Sequence, residues 1–253
     1  MAAPHLPCVY LARPDALAAA VASRDAPGLL DAADLAHAGR FRHARDRELA
    51  TASRALQRLA LAWAAGGASV DPARLQFARI GHGRPEAVAP PAARALRFSV
   101  ANTTGLVACA VSRDGWPGVD VEPVRAEVAP ELVQSCLSPR ERAAYLDLPA
   151  ERRARRFARL WTLKEAYLKA RGIGLDRAPD HLSFELLGAD ERPRLVEGDP
   201  AGGPADRWWF EWLPVGPAHA GALCLPIAGR SPSPVPMHWV GWDGARFVAA
   251  AAA

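Results

Sequence analysis

GVDVEPV at residues 118–124 and FARLWTLKEAYLKARGIGL at residues 157–175 decide how this chain is read. In the first, alternation places Val119 and Val121 toward a core. Asp120 and Glu122 then project together, about 7 Å apart along the chain. Two carboxylates that close repel, and a cation between them would reconcile them. Mg²⁺ is the hard ion that takes a few carboxylates together with substrate phosphates. An exposed strand edge carrying ordinary charges would show the same letters. In the second stretch, the pattern from Arg152 to Arg171 is helical, with Phe157, Leu160, Trp161, Tyr167 and Leu168 apolar and Gly172 as the stop. Trp161 falls with Phe157 and Leu168 on the face expected to be buried, as a packing residue. Glu165 and Lys169 lie four apart and so share a face, which suits a simple helix-stabilising pair. Together with Lys164 they also offer a third carboxylate and two cations. Three carboxylates around a metal, with lysines beside it, describe a site for phosphate-ester or pyrophosphate chemistry.

Composition narrows the setting. The 253 residues are half apolar, 23% charged and include eight tryptophans, which is the make-up of a folded chain long enough for two halves. The net charge of +4 comes from arginine rather than lysine, favouring an acidic or phosphorylated partner. The opening MAAPHLPCVYLARPDALAAA has no basic segment joined to an apolar one, and no window is long and apolar enough to span a bilayer. A soluble, cytoplasmic protein without a membrane partner is expected. Cys8, Cys109, Cys136 and Cys224 are scattered, which suits structural thiols rather than a metal pair or disulfide framework.

Working outward, EGDPAGGPAD, GRSPSPVP and the alanine tail read as loops and a frayed end. Between Asp34 and Trp63 the apolar Leu49, Leu56, Leu59 and Trp63 recur at helical spacing, predicting a long amphipathic helix. Arg40, Arg47, Arg54 and Arg58 form a stripe roughly opposite those leucines, either a solvated face or a comb for phosphates. RFSVAN, the turn TTG and LVACAVS predict a β-hairpin. The Gly/Pro punctuation around Trp116 places the junction between halves near residues 113–118, giving expected halves of 1–115 and 118–253. Two other classes fit parts of this pattern. A Mg²⁺-dependent phosphodiesterase or nuclease also needs acids, a Glu and a Lys, but sets the last two on a strand, two apart. A basic non-enzymatic binding module would use the arginines alone and leave Asp120, Glu122 and Glu165 without a role.

GVDVE and WTLKEAYLKARGIGL together resemble the G(I/V)D(I/V)E and WxxKEAxxK signatures of the 4'-phosphopantetheinyl transferases. Gly83-Arg84-Pro85 is similar to that family's G(K/R)P, and FSVANTTGLVACAV to its FNxSH(S/T)xG strand and turn. The length is similar to the longer, monomeric, surfactin-synthetase-activating type. The resemblance implies an α+β pseudo-dimer of two similar halves, each a small antiparallel sheet packed against a long helix, with coenzyme A in the cleft between them. It implies transfer of the phosphopantetheine arm of coenzyme A to a serine of an acidic acyl or peptidyl carrier protein, of fatty-acid, polyketide or non-ribosomal peptide type, and no nucleic acid as partner. Asp120, Glu122 and Glu165 would hold Mg²⁺. Lys164 and Lys169 would contact the pyrophosphate, with Glu165, Lys169 and Glu122 as the catalytic set and either Glu165 or a metal-bound water taking the serine proton. Arg47, Arg54, Arg84, Asn102 and Thr103 would bind coenzyme A. Asn102 stands where the family commonly has histidine, a position associated with the 3'-phosphate, so the charge there is expected from the arginine stripe.

Overall fold

A computed structural model describes residues 5–23, 28–80, 84–173, 178–188, 190–198, 200–227, 234–244 and 246–251. The chain divides into two units, Met1–Gly115 with Pro234–Ala253, and Trp116–Ser233. Both mix helices with antiparallel strands, so the fold is α+β.

The first unit contains β1 (Cys8–Ala12), α1 (Pro14–Ala22), α2 (Ala32–Gly39), α3 (Ala44–Gly66), the hairpin β2 (Gln76–Ile80) and β3 (Arg84–Ala89), and the hairpin β4 (Arg97–Thr103) and β5 (Leu106–Ser112). β5 is buried along its whole length, as its run LVACAVS requires. The turn into it is made by Gly105 at φ 81, a left-handed conformation that glycine adopts without penalty. α3 buries Ala52, Ala55, Leu56, Leu59, Ala60 and Trp63 in the same core as Tyr10 and Cys109. Each of the larger side chains contributes about 1.5–3 kcal/mol by leaving water.

The helix expected from residue 34 onward is interrupted. α2 stops at Gly39 and α3 begins at Ala44, so Arg40 sits in the break rather than on the stripe. Arg58 departs further from the expectation of an outward comb. α2 packs on that face of α3, and Arg58 is buried with its guanidinium bound by Asp31 and Asp34 and donating to the carbonyls of Pro72 (3.1 Å) and Leu75 (2.9 Å). A buried cation persists because every donor it turns inward meets an acceptor.

The second unit contains β6 (Gly118–Pro123), α4 (Pro130–Cys136), α5 (Pro139–Leu146), α6 (Ala150–Arg171), the hairpin β7 (Ser183–Leu187) and β8 (Arg192–Glu197), β9 (Trp208–Trp212) and β10 (His219–Pro226). β6, β10 and β9 form one antiparallel sheet in that order. α6 shares a core with this sheet through Leu163, Ala166, Tyr167 and Ala170 on one side and Phe210, Ala222 and Cys224 on the other. Gly118 explains how closely strand and helix approach. A Cβ there would collide with the carbonyl oxygen of Ala166 and the backbone nitrogen of Ala170. The helix ends where Gly172 turns left-handed at φ 71 and its N–H returns to the carbonyls of Leu168 and Lys169.

β11 (Met237–Trp242) and β12 (Phe247–Ala251) return to the first unit. β11 pairs in parallel with β1, Val9 opposite Met237, and the sheet order is β12-β11-β1-β5-β4. The expected second half of 118–253 is therefore corrected. Its last strands lie on the edge of β1, which would otherwise present unpaired backbone groups. The four cysteines are buried free thiols, and burial pushes the Cys8 thiol up to about 12.

Candidate active site

Trp161, Glu165 and Lys169 are spaced by four along α6 and so form one stripe. β6 presents Asp120 and Glu122 to it. Lys169 Nζ donates to Asp120 Oδ1 at 2.7 Å, and Trp161 Nε1 donates to Glu122 Oε1 at 3.0 Å. Asp120 is 5% exposed and Glu165 8%. Two of their oxygens, Asp120 Oδ2 and Glu165 Oε1, are buried with no hydrogen-bond partner. Orphaned carboxylate oxygens of this kind are rare in folded chains and call for a missing proton or cation.

The electrostatics agree. Burial raises the Asp120 carboxyl above its usual range, and the Lys169 ammonium only partly opposes it. Burial, then the Asp120 charge, raises Glu122. Glu165 is pushed up to about 7 by burial and then by Asp120, against the pull of Lys169. Three acids thus crowd one ammonium. No group of three or more His, Cys, Asp or Glu side chains is gathered in a metal-binding arrangement among the described residues. Asp120 is turned to Lys169 and Glu122 to Trp161 instead. The donor set still suits a hard divalent cation, because it is all carboxylate and its two orphaned oxygens are those a cation would satisfy.

Two expectations are corrected, one from the motif and one from the helical pattern. Lys164 does not face a pyrophosphate. It is fully buried, donating to the carbonyls of Cys136 (2.7 Å), Pro179 (3.1 Å) and Leu182 (2.9 Å) and paired with Glu141 at 2.6 Å. One residue turns a helix by about 100°, so Lys164 lies well round from the stripe that carries Glu165. Glu141 in turn accepts from the backbone N–H groups of Ser138 and Phe184, both at 2.8 Å. Lys164 is therefore a buried strut joining α4, α5 and the segment just before β7 to α6. Trp161 is not a core residue either. Its indole is half-buried, parallel to Phe157 with centroids 6.5 Å apart, and holds Glu122.

Beside Glu122 lies a cavity of ≈ 410 Å³ whose walls include Arg125, Val128, Leu132, Phe157 and Trp161. Sequence reading missed this wall. Leu132, 43% exposed on the short helix α4, belongs to this wall, and nothing in the local sequence pattern marks it.

Of the residues expected to bind coenzyme A, Arg47, Arg54, Arg84, Asn102 and Thr103 belong to the first unit, and Lys164 and Lys169 to the second. Asn102, exposed near the end of β4, donates from Nδ2 to Ser53 Oγ of α3 at 3.0 Å, Ser53 being the residue before Arg54; Thr103 follows Asn102 and is half-buried. Arg54 donates to Gln57 Oε1 at 3.2 Å and lies 3.6 Å from Asp34. Arg47 is spent partly on the helix break, donating to the carbonyls of Phe41 (3.0 Å) and Arg42 (2.8 Å). Arg84 opens β3 and burial lowers its pKa; Gly83 of the same motif lies outside the described residues.

This pairing of an acid-bearing strand with a Trp-Lys-Glu helix coincides with a family match. The family model described as the 4'-phosphopantetheinyl transferase superfamily matches residues 117–224, which contain the whole stripe. The chain is similar to the 4'-phosphopantetheinyl transferase HetI of Nostoc sp. (33% identity over 179 residues, 70% of this chain and 73% of that one). It is similar to the 4'-phosphopantetheinyl transferase pptA of Paxillus involutus (32% over 199 residues, 69% and 72%). It is also similar to the holo-[acyl-carrier-protein] synthase of Geobacillus kaustophilus (39% over 69 residues, 26% and 51%). The class is a group-transfer enzyme. The chain belongs to the 4'-phosphopantetheinyl transferase superfamily.

Proposed function

We propose that the protein moves the 4'-phosphopantetheine arm of coenzyme A to a serine of an apo acyl or peptidyl carrier protein, releasing adenosine 3',5'-bisphosphate. The observation that carries this reading is the pair of orphaned carboxylate oxygens on Asp120 and Glu165 beside the Lys169 ammonium. Similarity to the holo-[acyl-carrier-protein] synthase of Geobacillus kaustophilus supports a carrier as acceptor. The net charge of +4 suits an acidic one.

In this reading the serine oxygen attacks the phosphorus that bears the pantetheine. A new P–O bond forms, the bond to the adenosine bisphosphate oxygen breaks, and the serine proton passes to Glu165. Burial and the Asp120 charge hold that carboxyl up at about 7 in the metal-free site, and a cation beside it would lower it, leaving Glu165 ionised and able to accept the proton at neutral pH. Lys169 offsets charge on the departing phosphate. Trp161 fixes Glu122 through its indole N–H. Asp120, Glu122 and Glu165 would hold Mg²⁺, which supplies positive charge to the pyrophosphate when bound. Arg47, Arg54, Arg84, Asn102 and Thr103 bind coenzyme A phosphates in the first unit. The finer picture of two related halves belongs to the same proposal. It is supported by one long helix in each unit, α3 of 23 residues and α6 of 22, sharing a core with a sheet that is antiparallel in the second unit and mixed in the first, where β11 runs parallel to β1.

The test is to incubate the protein with coenzyme A, Mg²⁺ and an apo carrier protein, and to weigh the carrier by intact-mass spectrometry. The carrier gains the mass of one phosphopantetheine, located to its serine. A carrier of unchanged mass alongside cleaved plasmid DNA would replace this reading with the nuclease one.

A further inference from the structure

We propose that the second unit carries a separate anion site, on a face of α6 turned away from the carboxylates, that binds a small ligand bearing two or more phosphate groups. Arg152, Arg155, Arg156 and Arg159 recur at the i, i+3, i+4, i+7 spacing that makes one ridge of a helix. They line a cavity of ≈ 500 Å³ together with Leu148 and Glu191. Helical rotation puts Arg159 about 120° round α6 from Glu165, so the ridge is not part of the transfer site.

Glu191 shows what the ridge selects. It stands at the tip of the β7–β8 hairpin with φ 48, a left-handed conformation uncommon for a non-glycine residue. Its N–H reaches the carbonyl of Gly188 at 3.2 Å, and its own carbonyl accepts from Trp212 Nε1 at 2.9 Å. Its carboxylate bridges Arg156, at 2.7 Å, and Arg159. Arg159 also lies over the Trp212 ring, 4.8 Å from its centroid. One internal carboxylate therefore satisfies the inner pair of guanidiniums. Arg155 reaches only the carbonyl of Pro217 at 3.2 Å, and the Arg152 side chain has no partner among the described residues. Burial lowers the pKa of Arg156 and Arg159, and for Arg159 the charges of Arg155 and Arg156 add to it, so the crowding of guanidiniums outlasts the Glu191 bridge. Glu151, the other carboxylate on this wall, is exposed.

Guanidinium forks match phosphate oxygens in pairs. The ridge from Arg152 to Arg159 runs about 10 Å, room for linked phosphates rather than one. The space is concave and of small-molecule size, which favours a compact ligand over the surface of an acidic protein.

Inorganic triphosphate is the probe, titrated calorimetrically into the full chain at fixed ionic strength without divalent metal. Saturable binding at one site is expected. An Arg152→Ala/Arg155→Ala double variant should weaken it about tenfold or more, since at least one charge-assisted contact is lost. Glu191→Gln should tighten it about threefold or more by removing the internal competitor, and Lys169→Met should leave it unchanged. Urea midpoints confirm that each variant is folded, and Arg152→Gln/Arg155→Gln replaces the alanine pair if it is not. Equal affinity for wild type and double variant, loss of binding in Lys169→Met, weaker binding in Glu191→Gln, or binding of polyglutamate but not triphosphate would each overturn the proposal. The readout is binding, so it stands or falls independently of the transfer reaction.

Discussion

Burial holds the Glu165 carboxyl up at about 7 in the metal-free fold, so its proton is exchanged around neutral pH and stability depends on pH there. Its folded pKa, about 7, lies above the ordinary 4.5. The native state therefore holds a proton that the unfolded chain has already released, and stability falls as pH rises from 4.5 toward 7. Asp120 and Glu122 shift in the same direction and add to the trend. In chelator the melting temperature should be lower at pH 8 than at pH 5.5. Glu165→Gln should flatten the dependence, and Mg²⁺ at pH 8 should recover part of the loss. A wild-type melting temperature that is level between the two pH values would rule out the protonated acid. The acids and Lys169 were legible as residues because strand alternation and the four-residue helical step put them on facing stripes. Trp161 was misread because apolar letters at helical spacing do not distinguish a core face from the wall of a cavity.

At the scale of elements, α6 is held at a set rotation by two contacts: Gly118 against Ala166 and Ala170, and the Lys164 strut. Lys164→Met keeps most of the apolar stem but leaves Glu141 buried without its cation. Breaking a buried pair in this way costs about 3–5 kcal/mol. Urea denaturation should show that loss, and residual transfer should track the folded fraction. A variant with wild-type stability and no activity would return Lys164 to the substrate. The motif named this lysine correctly and misplaced it. Its burial depends on α4, α5 and the segment just before β7 closing over it, and that packing lies outside any periodicity within α6.

The whole molecule depends on an edge that sequence order hides. β11 follows every element of the second unit, yet pairs with β1 at the other end of the chain. Proximity in sequence assigned it to the second half, because a parallel pairing between the two ends leaves no local signal. Removing residues 234–253 should strip β11 and β12 from that sheet, expose the β1 edge and give an aggregating product, read by size-exclusion chromatography. A monodisperse, fully active truncation would contradict the pairing. The central claim, that the acids facing α6 perform phosphopantetheinyl transfer, is tested most directly by Asp120→Ala. Its rate of carrier modification and its melting temperature should be measured in one preparation. The account predicts transfer at least about a thousandfold down, the loss of several kcal/mol of transition-state stabilisation, with a melting temperature no lower than wild type, because a buried and only partly compensated acid has been removed. Transfer near the wild-type rate with Mg²⁺ present would contradict it.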